Sequence, residues 1–341
     1  MSILASELLW YRAASVSDDT PASNGGRVDF TAQAISGASN NLFPNVTEAQ
    51  RASGITQYRK AFIGVRNSAN LTLIDPHLSI AAATPGDGHL LLIPGTQDDT
   101  QDEISGRPYG YASLAADASL SATEITVTTE ADWSALDAAA RPFQVGDLIR
   151  IDDRPSIDDD GQVGYRTIAT VSYTGTELTL GIDALEHAFT AADGVHVASV
   201  YAPGNISAGY ESLSVSNETG STLAYTAAGH LTVPNIGSIR QVWTITITDG
   251  ASGAFRLDGD TLGSGVATGA TGALLSPNNP NGGKYLNLSS GGWSGTPVTG
   301  DSLTFTTRPA AIPVWYKWVI PAGASAIAST PGTALLKAES A

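Results

Sequence analysis

The sequence predicts an all-β protein: a multi-domain β-sandwich or barrel with a split core domain and two small inserted β-domains. Three observations carry this expectation. The 341 residues include 36 glycines and 17 prolines among many Thr, Ser and Val, a composition of turns joining short strands. Several runs alternate apolar and polar side chains with period two, as half-buried strands do. Such runs recur along the chain, whereas helical patterning is confined to short pieces. With 42% apolar residues, the chain is long enough for two or three domains that each bury a core.

In chain order, residues 1–57 join a short apolar start to long polar stretches and read as an irregular N-terminal arm laid over neighbouring surfaces. Residues 58–113 read as the first part of the core sandwich. Its strands are Tyr58 to Val65, Leu71 to Ile80 and His89 to Ile93, the first two joined as antiparallel neighbours by Arg66 to Asn70. The acidic loop from Asp98 to Glu103 closes this part and reads as a surface feature.

Residues 114–201 read as an inserted small barrel or sandwich. Its strands are Glu124 to Thr129, Gln144 to Asp152, Thr167 to Tyr173, Glu177 to Leu180 and Val195 to Tyr201. Asp132 to Ala140 is the best helical candidate, with Asp132 as N-cap. Residues 202–240 read as a second part of the core.

Residues 241–308 read as a second inserted β-domain. It opens with the strongest strand, Val242 to Thr248, whose Trp243, Ile245 and Ile247 face inward. Residues 309–341 bring the chain back to the core: Val314 to Ile320 completes the first sheet and Thr333 to Ala338 lies beside it.

The balance of 17 basic against 33 acidic residues gives a formal charge of -16, a surface that repels phosphate backbones. Specific nucleic-acid binding and basic-patch membrane association are therefore not expected. The absence of cysteine removes disulfides, thiolate metal sites and cysteine nucleophiles. The start lacks the basic n-region of a secretory signal, and no apolar run reaches the ~20 residues of a membrane span. Synthesis in the cytoplasm is the expectation.

Catalytic and metal-binding patterns are sought and not found. His77, His89, His187, His196 and His230 lack the i, i+4 spacing of a zinc helix, and His196 reads as a half-exposed strand residue. The acidic run Asp152 to Gly161 does not fit an EF-hand calcium loop and reads as a solvated loop. With Gly161 as the invariant glycine, the first and twelfth ligands fall on Ser156 and Thr167, which have no carboxylate. Gly292-Trp293-Ser294-Gly295 misses the nucleophile elbow by one position. Gly263-Ser264-Gly265 lacks the third glycine of a dinucleotide loop. No catalytic, cofactor-binding or metal-ligating residue is assigned, and no enzyme activity is expected. Strand alternation puts Tyr316 and Trp318 on one face and Trp315 and Lys317 on the other, as core or subunit interface.

Four features resemble structural virion proteins of Mu-like long-tailed bacteriophages. They are Ser6 to Tyr11 followed by Gly25-Gly26-Arg27; Tyr58-Arg59-Lys60-Ala61-Phe62; Gly95 to Gln101; and Pro313-Val314-Trp315 with Val319 to Ala324. The resemblance covers nearly the whole chain and rests on structural, not catalytic, motifs. It implies a β-sandwich tail tube subunit that self-associates into stacked rings, contacts other tail proteins and resides in the virion. The acidic charge would suit a lumen through which DNA slides. The alternative is a tail-tip, baseplate or capsid-surface protein that contacts host glycans.

Overall fold

The strongest alternation in the chain is realised as drawn. In the strand Gln241–Asp249 every second side chain is buried, with Trp243, Ile245 and Ile247 inward. The computed structural model describes residues 2–156, 158–327 and 332–340, and these form an almost entirely β architecture of several sheets.

The core begins with β1 (Leu8–Ser15), β2 (Gly25–Gln33), β3 (Ile55–Val65), β4 (Leu73–Ala82) and β5 (His89–Pro94). The chain then makes a barrel from β6 (Tyr111–Leu114), β7 (Glu124–Thr128), β8 (Leu148–Asp152), β9 (Val163–Thr174), β10 (Glu177–Ile182) and β11 (His196–Ser199). A third group follows: β12 (Gly209–Ser216), β13 (Ala224–Tyr225), β14 (Leu231–Thr232), β15 (Gln241–Asp249), β16 (Ala254–Gly259), β17 (Gly263–Ala270), β18 (Asn287–Leu288), β19 (Trp293–Ser294) and β20 (Ser302–Arg308). The chain returns to the core with β21 (Ala311–Ile320) and β22 (Thr333–Ser340).

The main sheet has the order β2-β1-β3-β21-β5, and β21 pairs along ten residues of β3. Alternation sends Ala61, Ile63, Val314 and Tyr316 to one face, where Leu78 and Ile80 of β4 and partly buried Leu336 of β22 pack against them. The opposite face carries Lys60, Phe62 and Trp315, all buried. Tyr316 meets Trp10 at 6.1 Å and Trp318 meets Phe43 at 5.3 Å on the first face, so the expected split of the aromatic set is realised.

The barrel closes in the order β10-β7-β6-β11-β8-β9. Ile125, Val127, Ile149, Ile151, Leu178 and Val197 fill its interior, each alternating with an outward neighbour. The third group is a five-stranded sheet, β12-β20-β15-β16-β17, whose Trp243, Ile245, Leu257 and Phe305 pack on Leu286 and Leu288.

Several local expectations are corrected. Within residues 1–57, β1 and β2 are strands of the main sheet, and a short helix, α1 (Glu48–Ser53), is capped by Thr47, whose side chain accepts from the Gln50 amide. Only part of that segment is irregular. β3 and β4 are not neighbours: β3 pairs with β1 and β21, while β4 pairs with β22. β22 accordingly lies beside β4 and not beside β21. The expected helix from Asp132 to Ala140 is reduced to one 3-10 turn, Ala138–Ala140. Asp132 Oδ1 instead accepts from the amide and hydroxyl of Ser134, a local turn that competes with helix initiation. β6 belongs to the barrel, so the expected boundary between residues 113 and 114 falls inside that strand. β12, within residues 202–240, pairs with β20 of the third sheet. That stretch still touches the core: Ile206 bridges Leu73, as Tyr201 just before it bridges Leu78, and Asn205 Oδ1 accepts from the Asp75 amide.

His196 is buried, not half-exposed. It stands on the outer face of β11, where the barrel meets β4, stacked on Tyr111 at 5.2 Å with Nε2 3.0 Å from the Ile80 carbonyl. Burial holds its imidazole down to about 4; the Ile80 contact opposes that shift and nearby Arg150 adds to it. His89 is likewise held to about 4 by burial, with Lys317 adding. An imidazole with a depressed folded pKa takes up its proton more readily in the unfolded chain. Stability is therefore complete above the ordinary histidine value of 6.5 and is lost as pH falls toward 4. The expected cost of acidification is about 3 kcal/mol per histidine. His196→Gln keeps a donor for Ile80, and its unfolding free energy should fall less than the wild type's between pH 7 and pH 4. Denaturant titrations of both proteins across that range measure the difference, which carboxylates common to both cannot produce.

Candidate functional site

Part of each feature that carries the sequence resemblance, namely Gly25-Gly26, Lys60, the loop 95–101 and Trp315, meets at one point on the second face of the main sheet. Lys60 extends from β3 with its side chain wholly buried, and its Nζ lies 2.7 Å from Oδ1 of Asp99, itself 7% exposed. Nζ also donates to the Gly26 carbonyl at 2.6 Å and to the Asp99 carbonyl at 2.9 Å. Asp99 Oδ2 accepts from Trp315 Nε1 at 2.8 Å, and Oδ1 accepts from the Thr96 amide at 2.9 Å. The ammonium lies 4.9 Å from the centre of the Phe62 ring and 5.8 Å from that of Trp315. Burial pulls the Lys60 ammonium below its ordinary value, and the hydrogen bond and charge of Asp99 hold against that.

Local sequence explains how the pieces approach so closely. Gly25 has φ +113°, and a Cβ there would come within 2.6 Å of the Trp315 ring and 2.9 Å of the Asp99 carbonyl. Only glycine fits that position. Gly26, also at positive φ, donates its amide to the Asp99 carbonyl at 2.9 Å. Asn24 ties the same end of β2 to both partners: its Nδ2 donates to the Tyr58 carbonyl and to Gln101 Oε1, and its carbonyl accepts the Gln101 amide. Gln97 Nε2 reaches the Ala311 carbonyl at 2.9 Å. Four segments distant in sequence are thus fixed by one buried polar cluster.

The acidic loop read as a surface feature is divided by this arrangement. Asp99 points inward, whereas Asp98 is 41% exposed and bridges Arg27 at 3.0 Å and Arg240 at 2.7 Å. Arg27 also takes Asp260 in a two-pronged contact, and Arg240 pairs with Glu211. This chain of charges joins the main sheet to the third sheet. A second polar joint lies nearby: buried Asn235 donates its amide to Asn70 Oδ1 and its Nδ2 to the Leu71 carbonyl. Another buried cation, Arg59, pairs with Asp18 through both oxygens and donates to the Leu42 carbonyl, pinning the irregular part of the N-terminal segment.

Chemically, the Lys60 cluster is a closed tie whose two charged side chains are both buried. Two surface hollows lie elsewhere, one of about 380 Å³ lined by Asp87, Glu130 and Pro321 to Ala324, another of about 590 Å³ between Ser2 and Leu4 and the Asn67 turn. Among the described residues no group of three or more His, Asp or Glu is placed to hold a metal; Ile157, in the middle of the acidic run, lies outside them. No helix among them is long and apolar enough to cross a membrane. Tyr210 is the one aromatic side chain among them more than a third exposed.

No protein-family model matches the chain, and no curated protein matches it. Among solved structures it aligns with the VP16–VP17 complex of the two major capsid proteins of bacteriophage P23-77, at 11% identity over 78% of this chain and 89% of that one, with a TM-score of 0.17. It also aligns with VP17, a capsid protein of the same phage, at 12% identity over 78% and 88% of the two chains, with a TM-score of 0.16. Superpositions this loose carry no argument about fold or role.

Removing one partner of the buried pair should cost far more than removing both. Asp99→Ala strands the Lys60 ammonium without its counter-charge, with an expected loss of about 3–5 kcal/mol. The double variant Lys60→Met/Asp99→Ala should recover a large part of that loss. Urea unfolding of the two single variants and the double variant measures the coupling, and purely additive losses would contradict it.

Proposed function

We propose that the chain is a structural subunit of a bacteriophage virion, and specifically a tail tube subunit that self-associates into stacked rings. The observation that carries this reading is that each of the four resemblance features contributes residues (Gly25-Gly26, Lys60, the loop 95–101 and Trp315) to the Lys60–Asp99 cluster. These residues build a framework in which the central Lys60 and Asp99 side chains are withdrawn from solvent, as suits a protein whose work is to hold shape in an assembly.

Two further features support an assembly role. Copies carrying a formal charge of -16 repel one another, so close packing requires regions free of charge. Residues 261–283 contain no Asp, Glu, Lys or Arg, and they include β17, one of the two edge strands of the third sheet. An edge without charged residues is the kind to which a further strand adds. The acidic surface also suits the passage of DNA without adhesion. The alternative of a tail-tip, baseplate or capsid-surface protein that contacts host glycans is less well supported, because sugar platforms use exposed aromatic rings and Tyr210 alone is substantially exposed among the described residues.

Negative-stain electron microscopy of the purified protein over a range of concentrations tests the proposal. Rings or stacked tubes are the expected result. A stable monomer that binds host polysaccharide would replace this reading with the alternative one.

A further inference from the structure

We propose that Lys60 and Asp99 condense after folding into an intramolecular isopeptide bond, an amide between Lys60 Nζ and the Asp99 side-chain carbonyl carbon that covalently ties β3 to the loop 95–101. This inference does not depend on the virion reading; it rests on the geometry and enclosure of the pair.

The two groups are already in contact at 2.7 Å, held there by strands and hydrogen bonds on both sides, so the encounter is effectively unimolecular. The side chains of Lys60 and Asp99 are closed off by Phe62 and Trp315, both fully buried, and the competing reaction with bulk water is suppressed. In such surroundings the ion pair is costly, and transfer of one proton from Nζ to Oδ1 yields a neutral amine beside a neutral carboxylic acid. Burial of Lys60 shifts its titration in the direction that this transfer needs.

The balance of the step is simple. The Nζ lone pair attacks the Asp99 carboxyl carbon, and the developing charge on Oδ2 is met by the indole N–H of Trp315 at 2.8 Å. A second Nζ proton passes to Oδ1, the bond from carbon to Oδ1 breaks, and Oδ1 departs as water. One amine and one carboxylic acid become one amide and one water, with no oxidant, reductant or activating co-reactant.

The hydrogen bonds of the product also close. The amide retains one N–H, which can stay on the Gly26 carbonyl now 2.6 Å away. The Asp99 backbone carbonyl gives up Lys60 but keeps the Gly26 amide at 2.9 Å. Oδ2 remains a carbonyl oxygen accepting from Trp315. The Thr96 amide loses Oδ1, and since Thr96 is exposed, solvent can take its place. Both buried charges disappear, which stabilises the product in this enclosure.

The intact mass of the folded wild-type chain, measured after denaturation and allowing for loss of the initiator methionine, decides the matter. The expected mass is lower than that of the sequence by one water, with a tryptic digest containing a branched species that joins the Lys60 peptide to the Asp99 peptide. Asp99→Ala should restore the full mass. A wild-type mass equal to the sequence overturns the proposal. So does a deficit of one water that persists in Asp99→Ala, because the loss then arises elsewhere.

Discussion

A single buried ion pair governs how the main sheet is put together. Two charges taken out of water carry a desolvation penalty that their attraction offsets only when the remaining hydrogen-bonding capacity is also filled. Lys60 and Asp99 meet that condition through the Gly26 and Asp99 carbonyls, the Trp315 indole and the Thr96 amide. Those partners come from three stretches of the chain: the start of β2, the loop 95–101 and β21. The pair therefore specifies which segments must converge, a demand that generic apolar packing does not make. It also imposes glycine at position 25, where any side chain would collide with Trp315.

Around this point the molecule divides its labour between apolar cores and polar joints. The barrel, the sandwich and the third sheet each have their own cluster of buried aliphatic and aromatic side chains. Where the third sheet meets the sandwich, the contacts described are hydrogen bonds and charges: Arg27, Asp98, Arg240 and Asp260 on one side, Asn70 and Asn235 on the other. Exposed ion pairs of this kind contribute little each, on the order of 1 kcal/mol or less. They set orientation more than stability. The barrel is attached differently, by buried Tyr111 and His196 packed against β4, and is the more firmly seated unit.

The legible parts of the fold are those in which one segment decides its own environment. The alternation in Val242 to Thr248 gave the buried face of β15 directly, and the same rule split Trp315 from Tyr316 correctly. Pairing could be read only in part: the return of Val314 to Ile320 to the first sheet was expected and is found, but the partners of β1 and β4 were not. Leu8 to Ser15 is a strand because residues 61–65 lie beside it, and β4 pairs with β22 because the main sheet is already filled by β21. Neither fact has a local signature. The Asp98-Asp99 dipeptide shows the limit most plainly: the two carboxylates are adjacent and chemically identical, yet one is exposed and the other buried. The difference is set by a lysine 39 residues earlier and a tryptophan 216 residues later. The two glycines preceding Arg27 were the available signal, since a Gly-Gly pair beside a strand marks a close backbone approach.

The tie crosses between segments that would otherwise separate, so the loop from Gly95 to Gln101 is as firmly held as the strands beneath it. Amide hydrogen exchange tests that claim most directly. The Gly26 and Gln101 amides, which donate to the Asp99 and Asn24 carbonyls, should exchange as slowly as amides in the centre of β3 and β21. Exchange at the rate of an exposed loop would show that the cluster does not hold the sheet together.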